Sequence, residues 1–143
     1  MTEIVSIAAD NEPAAKFLEP DFQSGNLNFL VGSGASAPAI KTAGAIESEI
    51  NTLLAANKDA EADKKSFDFI TTINTVNSKI SAAYVVPPIR KATKGYTEFL
   101  SSVDRILFAR KNILLARQAN IFTTNYDMFF EHAASLIPGI ILN

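Results

Sequence analysis

Short apolar runs and longer stretches of helical periodicity alternate along the chain. Leu27–Val31 is nearly continuous in apolar character and ends at a glycine, which is typical of a strand covered on both faces in a parallel sheet. Ala119–Thr123 is a second strand candidate. The closing residues 140–143, Ile-Ile-Leu-Asn, look like the start of a further buried strand. The pattern therefore predicts an open parallel sheet that is incomplete within this chain.

Most of the interval between the two predicted strands is helical in its pattern. Apolar residues spaced by three and four predict a helix over about 40–56, with Pro38 in its first turn. The polar residues 57–65 are predicted to form a loop or a solvated connection. We interpret residues 57–118 as a helical insertion that separates two strand–turn–helix units.

Two amphipathic stripes lie within this predicted insertion. From Phe67 onward, apolar residues recur at intervals of three and four, which predicts a helix that stops at the proline pair 87–88. A longer helix is predicted over about 96–114. The basic residues of this segment are predicted to face solvent: Arg105, Arg110 and Lys111.

Composition narrows the classes of function. The chain has 143 residues, 48% of them hydrophobic, and a net charge of −2 with scattered basic residues, so it can form a core but carries no nucleic-acid footprint. It has no cysteine and a single histidine, His132, so no metal site is expected. No apolar run approaches a membrane span, and no signal peptide is recognised, so a soluble, cytoplasmic protein without membrane contacts is expected.

A glycine-rich stretch directly follows the first predicted strand. We call it the glycine turn: Gly32, Ser33, Gly34, Ala35 and Ser36. Glycine can adopt backbone angles closed to other residues and has no Cβ to block a ligand. If a helix begins near residues 35–38, its free N–H groups would face a diphosphate held at the turn. The alternative is an ordinary turn that packs a strand against a helix, because the third glycine of the usual dinucleotide fingerprint and the lysine of a P-loop are both missing.

A second polar stretch follows the second predicted strand, at the end where open parallel sheets bind ligands. We call residues 123–127 the asparagine motif, and its candidate ligand-binding residues are Thr123, Thr124, Asn125 and Asp127. An asparagine can orient a water or a sugar hydroxyl because it both donates and accepts hydrogen bonds. The alternative is a plain cap, in which these side chains only satisfy the backbone of a helix predicted to start near Tyr126.

Together these two stretches resemble the sirtuin-like NAD-consuming family. The glycine turn is similar to its Gly-Ala-Gly-x-Ser turn, and the asparagine motif matches the Thr-Thr-Asn-Tyr-Asp form of the prokaryotic branch. The resemblance extends over about residues 27–135. It implies an α/β fold, a Rossmann-like parallel sheet with flanking helices, that binds NAD with the glycine turn under the diphosphate.

The resemblance also implies roles for individual residues. Asn125 would be the catalytic residue beside the nicotinamide ribose, and Asp127 would help hold the nicotinamide carboxamide. Ala35 and Ser36 match positions that contact the cofactor. In the prokaryotic branch, NAD is the substrate and is hydrolysed to nicotinamide and ADP-ribose, which depletes NAD in antiphage defence. A homo-oligomer or a partner defence protein such as an ATPase is expected.

Departures from the family pattern favour hydrolysis over deacylation. Residues 37–41 replace the Gly-Ile-Pro-Asp-Phe-Arg segment of the deacylases, and the zinc-binding cysteines are missing. His132 lies too close to Asn125 to match the family's catalytic histidine, so it is interpreted as a helix-surface or packing residue. The chain is therefore expected to be an N-terminal part of the domain. The alternative function is a non-catalytic module that binds NAD or ADP-ribose, or that mediates assembly of a larger defence complex.

Overall fold

The computed structural model describes residues 12–82, 86–112 and 114–141. These residues form a mixed, helix-rich structure with a small two-stranded parallel sheet. In chain order the elements are α1 (Glu12–Ser24), β1 (Leu27–Val31), a 3-10 helix (Ser33–Ser36), α2 (Ala43–Ala55), α3 (Asp59–Ser81), α4 (Pro87–Phe108), β2 (Ala119–Thr123) and α5 (Phe129–Ser135). The described residues fall into two compact units, one from 12–30 with 102–122 and one from 31–101 with 123–141. No helix among them is long and apolar enough to cross a bilayer.

The first unit contains most of the sheet, and both predicted strands are confirmed with their bounds. The expectation that β1 is covered on both faces is wrong. Its residues alternate, with Leu27 buried but Leu30 78% exposed. Phe122 of β2 is likewise 58% exposed. Nearly continuous apolar character is typical of a strand that is covered on both faces of its sheet. The described residues cover only one face of β1.

Arg110 organises the loops of the first unit. It was predicted to face solvent, and this is wrong, because only 6% of the residue is exposed. Its guanidinium donates to the backbone carbonyls of Phe22 at 2.9 Å, Gly25 at 2.7 Å and Ala116 at 3.2 Å. The cause of the error is that α4 ends at Phe108, so helical spacing no longer assigns a face to later residues. The predicted helix over 96–114 thus starts earlier and ends earlier than its pattern indicated.

The second unit contains α2, α3, α5 and most of α4. Val76 and Ile80 of α3 are buried, which confirms that the predicted stripe faces the core. The prediction of a loop over 57–65 is wrong, because α3 already begins at Asp59. Acidic residues suit the first turn of a helix because they face its positive dipole end, and Ala62 adds a buried contact.

The chain between the glycine turn and α2 departs from prediction. A helix was predicted over about 40–56 with Pro38 in its first turn, but a four-residue 3-10 helix forms before Pro38 and α2 begins only at Ala43. Ala37 ends the 3-10 helix in an extended conformation, with φ −71° and ψ 142°. Pro38 explains this, because the residue before a proline is disfavoured from the helical region.

The last helix, α5, begins at Phe129 rather than near Tyr126. Phe129 and Ala133 are fully buried on its inner side. The later start leaves residues 124–128 as an irregular segment between β2 and α5. The polar side chains of the asparagine motif therefore lie at the end of a strand and on a loop, where they can be turned toward other elements.

Candidate functional site

The structure brings the glycine turn and the asparagine motif into contact. Each follows directly on a strand, and the Thr124 amide donates to the Val31 carbonyl at 3.3 Å, which extends the pairing of the strands into the site. Thr123 shapes the start of the motif, because its hydroxyl accepts a hydrogen bond from the Asn125 amide at 3.0 Å. The shared edge follows from the parallel pairing of the two strands, whose carboxyl ends meet on one side.

Ser36 is the point at which the two stretches meet. Its Oγ accepts a hydrogen bond from Nδ2 of Asn125 at 3.1 Å and donates to Oδ2 of Asp127 at 2.5 Å. Only 1% of Ser36 is exposed. Buried polar groups need partners, because an unpaired one loses its bonds to water without replacement. Ser36 meets this requirement through side chains about 90 residues away in sequence.

Tyr96 of α4 is a member of the site that the sequence reading placed only in an apolar stripe. Its hydroxyl lies 2.8 Å from Oγ of Ser36 and accepts from Nδ2 of Asn125 at 2.9 Å. The ring stacks on Phe129 with centroids 5.4 Å apart, and Phe130 contacts it edge-on at 4.6 Å. Burial raises the pKa of the Tyr96 phenol above its ordinary value. A tyrosine on a buried stripe usually carries its hydroxyl to a polar partner, which is the signal that could have identified it.

Asn125 leaves one strong acceptor unused. Its Nδ2 makes two hydrogen bonds, but its carbonyl oxygen Oδ1 is buried and has no partner among the described residues. Nearly all buried polar side-chain atoms in folded proteins find a partner, so an unpaired amide oxygen indicates a missing donor. A hydroxyl group or a water molecule would supply such a donor.

Asp127 bonds both the first residue of α5 and the glycine turn. Its Oδ1 accepts from the amide of Phe129, the first residue of α5, at 3.3 Å, while Oδ2 accepts from Ser36. The capping residue itself, Met128, makes no side-chain cap bond. Asp127 therefore ties α5 to the glycine turn and is held in one orientation by both oxygens.

The two glycines of the turn do not use the backbone angles that are open to glycine alone. Gly32 is extended, with φ −102° and ψ 176°, and Gly34 lies in the 3-10 helix without a positive φ. A Cβ built on either glycine meets no atom of the described residues within 4 Å. The expected α-helix N-terminus is also not present at this turn. Neither backbone conformation nor packing within the described chain thus requires glycine here, and the space beside both residues is open.

The remaining residues of the turn complete the short 3-10 helix. The Ala35 amide donates to the Gly32 carbonyl at 3.1 Å, and Ser33 is partly exposed at the start of the helix. This 3-10 turn gives Ser36 its inward direction while the residues before it remain at the surface.

Asn77 of α3 holds the asparagine motif from outside. Its Nδ2 donates to the Tyr126 carbonyl at 3.2 Å, and its Oδ1 accepts from the Met128 amide at 3.1 Å. These two bonds bracket Asp127 on both sides. The sequence reading missed this residue, because a lone asparagine on a predicted helix carries no signal of a distant partner.

His132 lies within α5 and is partly exposed, four residues into the helix. Its amide donates to the Met128 carbonyl at 3.0 Å as a regular helical bond. Its carbonyl accepts from the Ser135 hydroxyl at 2.7 Å. The bonds described for His132 thus involve its backbone and belong to the helix.

Comparisons of the chain with protein-family models, with curated proteins and with solved structures gave no match.

Proposed function

We propose that this chain is the NAD-binding part of a sirtuin-like NAD glycohydrolase with a Rossmann-like sheet. The single observation that carries the proposal is the unpaired, buried Oδ1 of Asn125 beside the glycine turn. Two stretches that resemble one family's two motifs meet through Ser36, and the residue expected to act on the ribose retains a free acceptor.

The chemistry suits an asparagine with its oxygen free. In NAD hydrolysis the bond between ribose C1′ and the nicotinamide nitrogen breaks, and its electron pair stays with nicotinamide. The oxygen of a water molecule bonds to C1′, and the proton it loses passes to solvent. An amide oxygen can accept a hydrogen bond from that water or from a ribose hydroxyl and so orient it. Asp127, anchored through both oxygens, adds a fixed acceptor beside the same centre.

The open space at Gly32 and Gly34 supports a role for the glycine turn in holding the diphosphate. The described chain needs no glycine at either position, whereas a ligand approaching the backbone closely would exclude any side chain. The Ser33 hydroxyl and the backbone amides of the exposed residues Gly32 and Gly34 can donate hydrogen bonds to phosphate oxygens. No helix dipole contributes, because the 3-10 helix has only four residues.

Nicotinamide release from NAD by the complete enzyme tests the catalytic half of the proposal. Asn125→Ala should abolish release while the folded state is retained, because Asn125 sits at a loop and not in the core. Asn51→Ala, which changes an exposed asparagine of α2, is the matched control and should leave release unchanged. Full turnover by Asn125→Ala would remove the catalytic assignment.

NAD affinity tests the glycine turn separately. Gly34→Ala adds one methyl group into space that is open in the structure, so stability should change little while affinity for NAD falls by about tenfold or more through steric exclusion. Gly95→Ala makes the same change in α4, also into open space, and should leave affinity unchanged. Equal affinity in both variants would contradict the role in diphosphate binding.

The cellular role implied by the resemblance is depletion of NAD in antiphage defence. Assembly as a homo-oligomer, or with a partner such as an ATPase, belongs to the same proposal. Loss of NAD in infected cells that carry the intact protein, but not Asn125→Ala, is the corresponding observation.

A second candidate function is a non-catalytic module that binds NAD or ADP-ribose or mediates assembly. The specific observation in its favour is that Ser36 and Tyr96 are buried and bonded within the chain. Tight binding of ADP-ribose without any nicotinamide release from NAD would select this alternative.

A further inference from the structure

The hydroxyl and amide protons around Ser36 have one consistent arrangement. Ser36 has a single hydroxyl proton, which it donates to Asp127. In the hydrogen bond between Ser36 and Tyr96, the Tyr96 hydroxyl must then be the donor and Oγ of Ser36 the acceptor. Tyr96 accepts in turn from Nδ2 of Asn125. Each hydroxyl proton thus has one acceptor, and this assignment follows because Ser36 has a single hydroxyl proton.

The same network fixes which atom of the Asn125 amide faces inward. If the amide were reversed, its oxygen would lie about 3 Å from Oγ of Ser36, whose only proton already points to Asp127. Two acceptors would then face each other with no proton between them. The observed orientation instead gives both acceptors, Ser36 and Tyr96, a donor from the one Nδ2 group.

We propose that Tyr96 is a positioning residue, whose hydroxyl holds the amide of Asn125 with Oδ1 turned away from the network. The ring is itself fixed by its stacking on Phe129 and its edge contact with Phe130. Because the core packing fixes the Tyr96 ring, it also fixes the hydroxyl that orients the Asn125 amide. It touches no reacting atom and acts only through Asn125.

The expected change in kcat rests on the proposed function, whereas the orientation of the Asn125 amide does not. Tyr96→Phe keeps the ring and removes the hydroxyl, so Asn125 keeps a single acceptor. A hydrogen bond of this kind contributes about 0.5–1.5 kcal/mol. Expressed as a rate, kcat for NAD cleavage should fall by about three- to tenfold, with KM nearly unchanged because the diphosphate contacts remain.

The test combines kinetics of the full chain with nuclear magnetic resonance of the 15N-labelled Asn125 side-chain amide. Tyr96→Phe should shift the Asn125 amide resonances and speed exchange of one amide proton with solvent. The matched control is Thr97→Val at the next residue of α4, which removes a hydroxyl whose described hydrogen bond goes to the Thr93 carbonyl in its own helix. This control should leave the amide resonances and kcat as in the wild type.

Unshifted Asn125 resonances in Tyr96→Phe would overturn the inference, whatever the chain does with NAD. A shifted amide with unchanged kcat in an active enzyme would overturn it as well. If the complete wild-type enzyme releases no nicotinamide, the proposed hydrolysis fails, and the amide resonances still decide the positioning. Should Tyr96→Phe fold poorly, Ser36→Ala removes the other acceptor and should move the same resonances.

Discussion

Arg110 offers the sharpest test of how the first unit is held together. Lysine keeps the charge at this position but has one donor atom, whereas the guanidinium reaches three carbonyls from three separate nitrogens. The ammonium nitrogen carries three N–H groups but cannot occupy three positions at once, so we expect Arg110→Lys to lose two of the three bonds. The carbonyls left behind belong to the end of α1, to the connection before β1 and to the segment before β2.

The size of the effect follows from these contacts. A hydrogen bond to a charged donor contributes about 1.5–3 kcal/mol. Losing two of them, with some recovery by water, should lower the free energy of unfolding by about 2–4 kcal/mol. Because folded proteins are stable by only about 5–15 kcal/mol, this is a large fraction of the total. The urea midpoint should fall by about 1–2 M, given a typical dependence of about 2 kcal/mol per M.

Urea unfolding followed by circular dichroism is the suitable assay. Arg105→Lys is the matched control, because Arg105 is exposed and its described side-chain bond, to Ser102, is long at 3.4 Å. It should change stability by less than about 0.5 kcal/mol. If Arg110→Lys matched this control, the three carbonyl contacts would contribute nothing and the reasoning from them would be refuted.

Three further predictions concern the phenol and two glycines. Burial raises the pKa of Tyr96 in the folded protein. The neutral phenol therefore contributes its full stabilisation below the unfolded pKa of about 10, and this contribution is lost as the pH rises through the folded pKa. The free energy of unfolding should thus fall more steeply above about pH 10 in the wild type than in Tyr96→Phe, and equal slopes would contradict this. Gly25→Ala would place a Cβ 2.6 Å from the carbonyl oxygen of Asp21 and should destabilise by about 1–3 kcal/mol; an unchanged urea midpoint would count against it. Gly95→Ala, in the interior of α4 with open space around it, should raise stability by about 0.5–1 kcal/mol, and a lower melting temperature would refute the assignment of open space.

Local patterns were sufficient for the strands and for the inner stripe of α3. Leu27–Val31 and Ala119–Thr123 were identified with their bounds because each apolar run is short and stops at glycine or polar residues. The first turns of α3 were missed because they are polar, and polarity alone does not separate a solvated helix from a loop. The acidic residues Asp59 and Glu61 at its start were the available signal.

The site was predictable in its main-chain positions but not in its network. That two motifs after parallel strands should approach each other follows from sheet geometry, and Ser36 does contact Asn125. The hydroxyl of Tyr96 joins them from a helix, 29 residues before Asn125. Such a partner depends on how α4 packs, and periodicity gives the face of a helix but not what its polar tip will meet.

Gly32 and Gly34 show that a glycine-rich turn does not by itself indicate unusual backbone angles. Both can adopt backbone angles closed to other residues, and neither does. Glycine in a turn has several physical causes, and only coordinates separate a conformational requirement from the need for empty space beside the backbone.

Asn77 shows how a remote loop can restrict what a helix surface accepts. A partly exposed position in the C-terminal part of a 23-residue helix would ordinarily tolerate most helix-forming side chains. Here the side chain imitates a peptide unit, with one donor and one acceptor matched to main-chain groups 49 and 51 residues further on. Aspartate has nearly the same shape but would set an oxygen against the Tyr126 carbonyl, and leucine would offer neither group. The residues compatible with position 77 are thus restricted by a segment far along the chain. Helix propensity and exposure alone would not predict which substitutions are tolerated at this position.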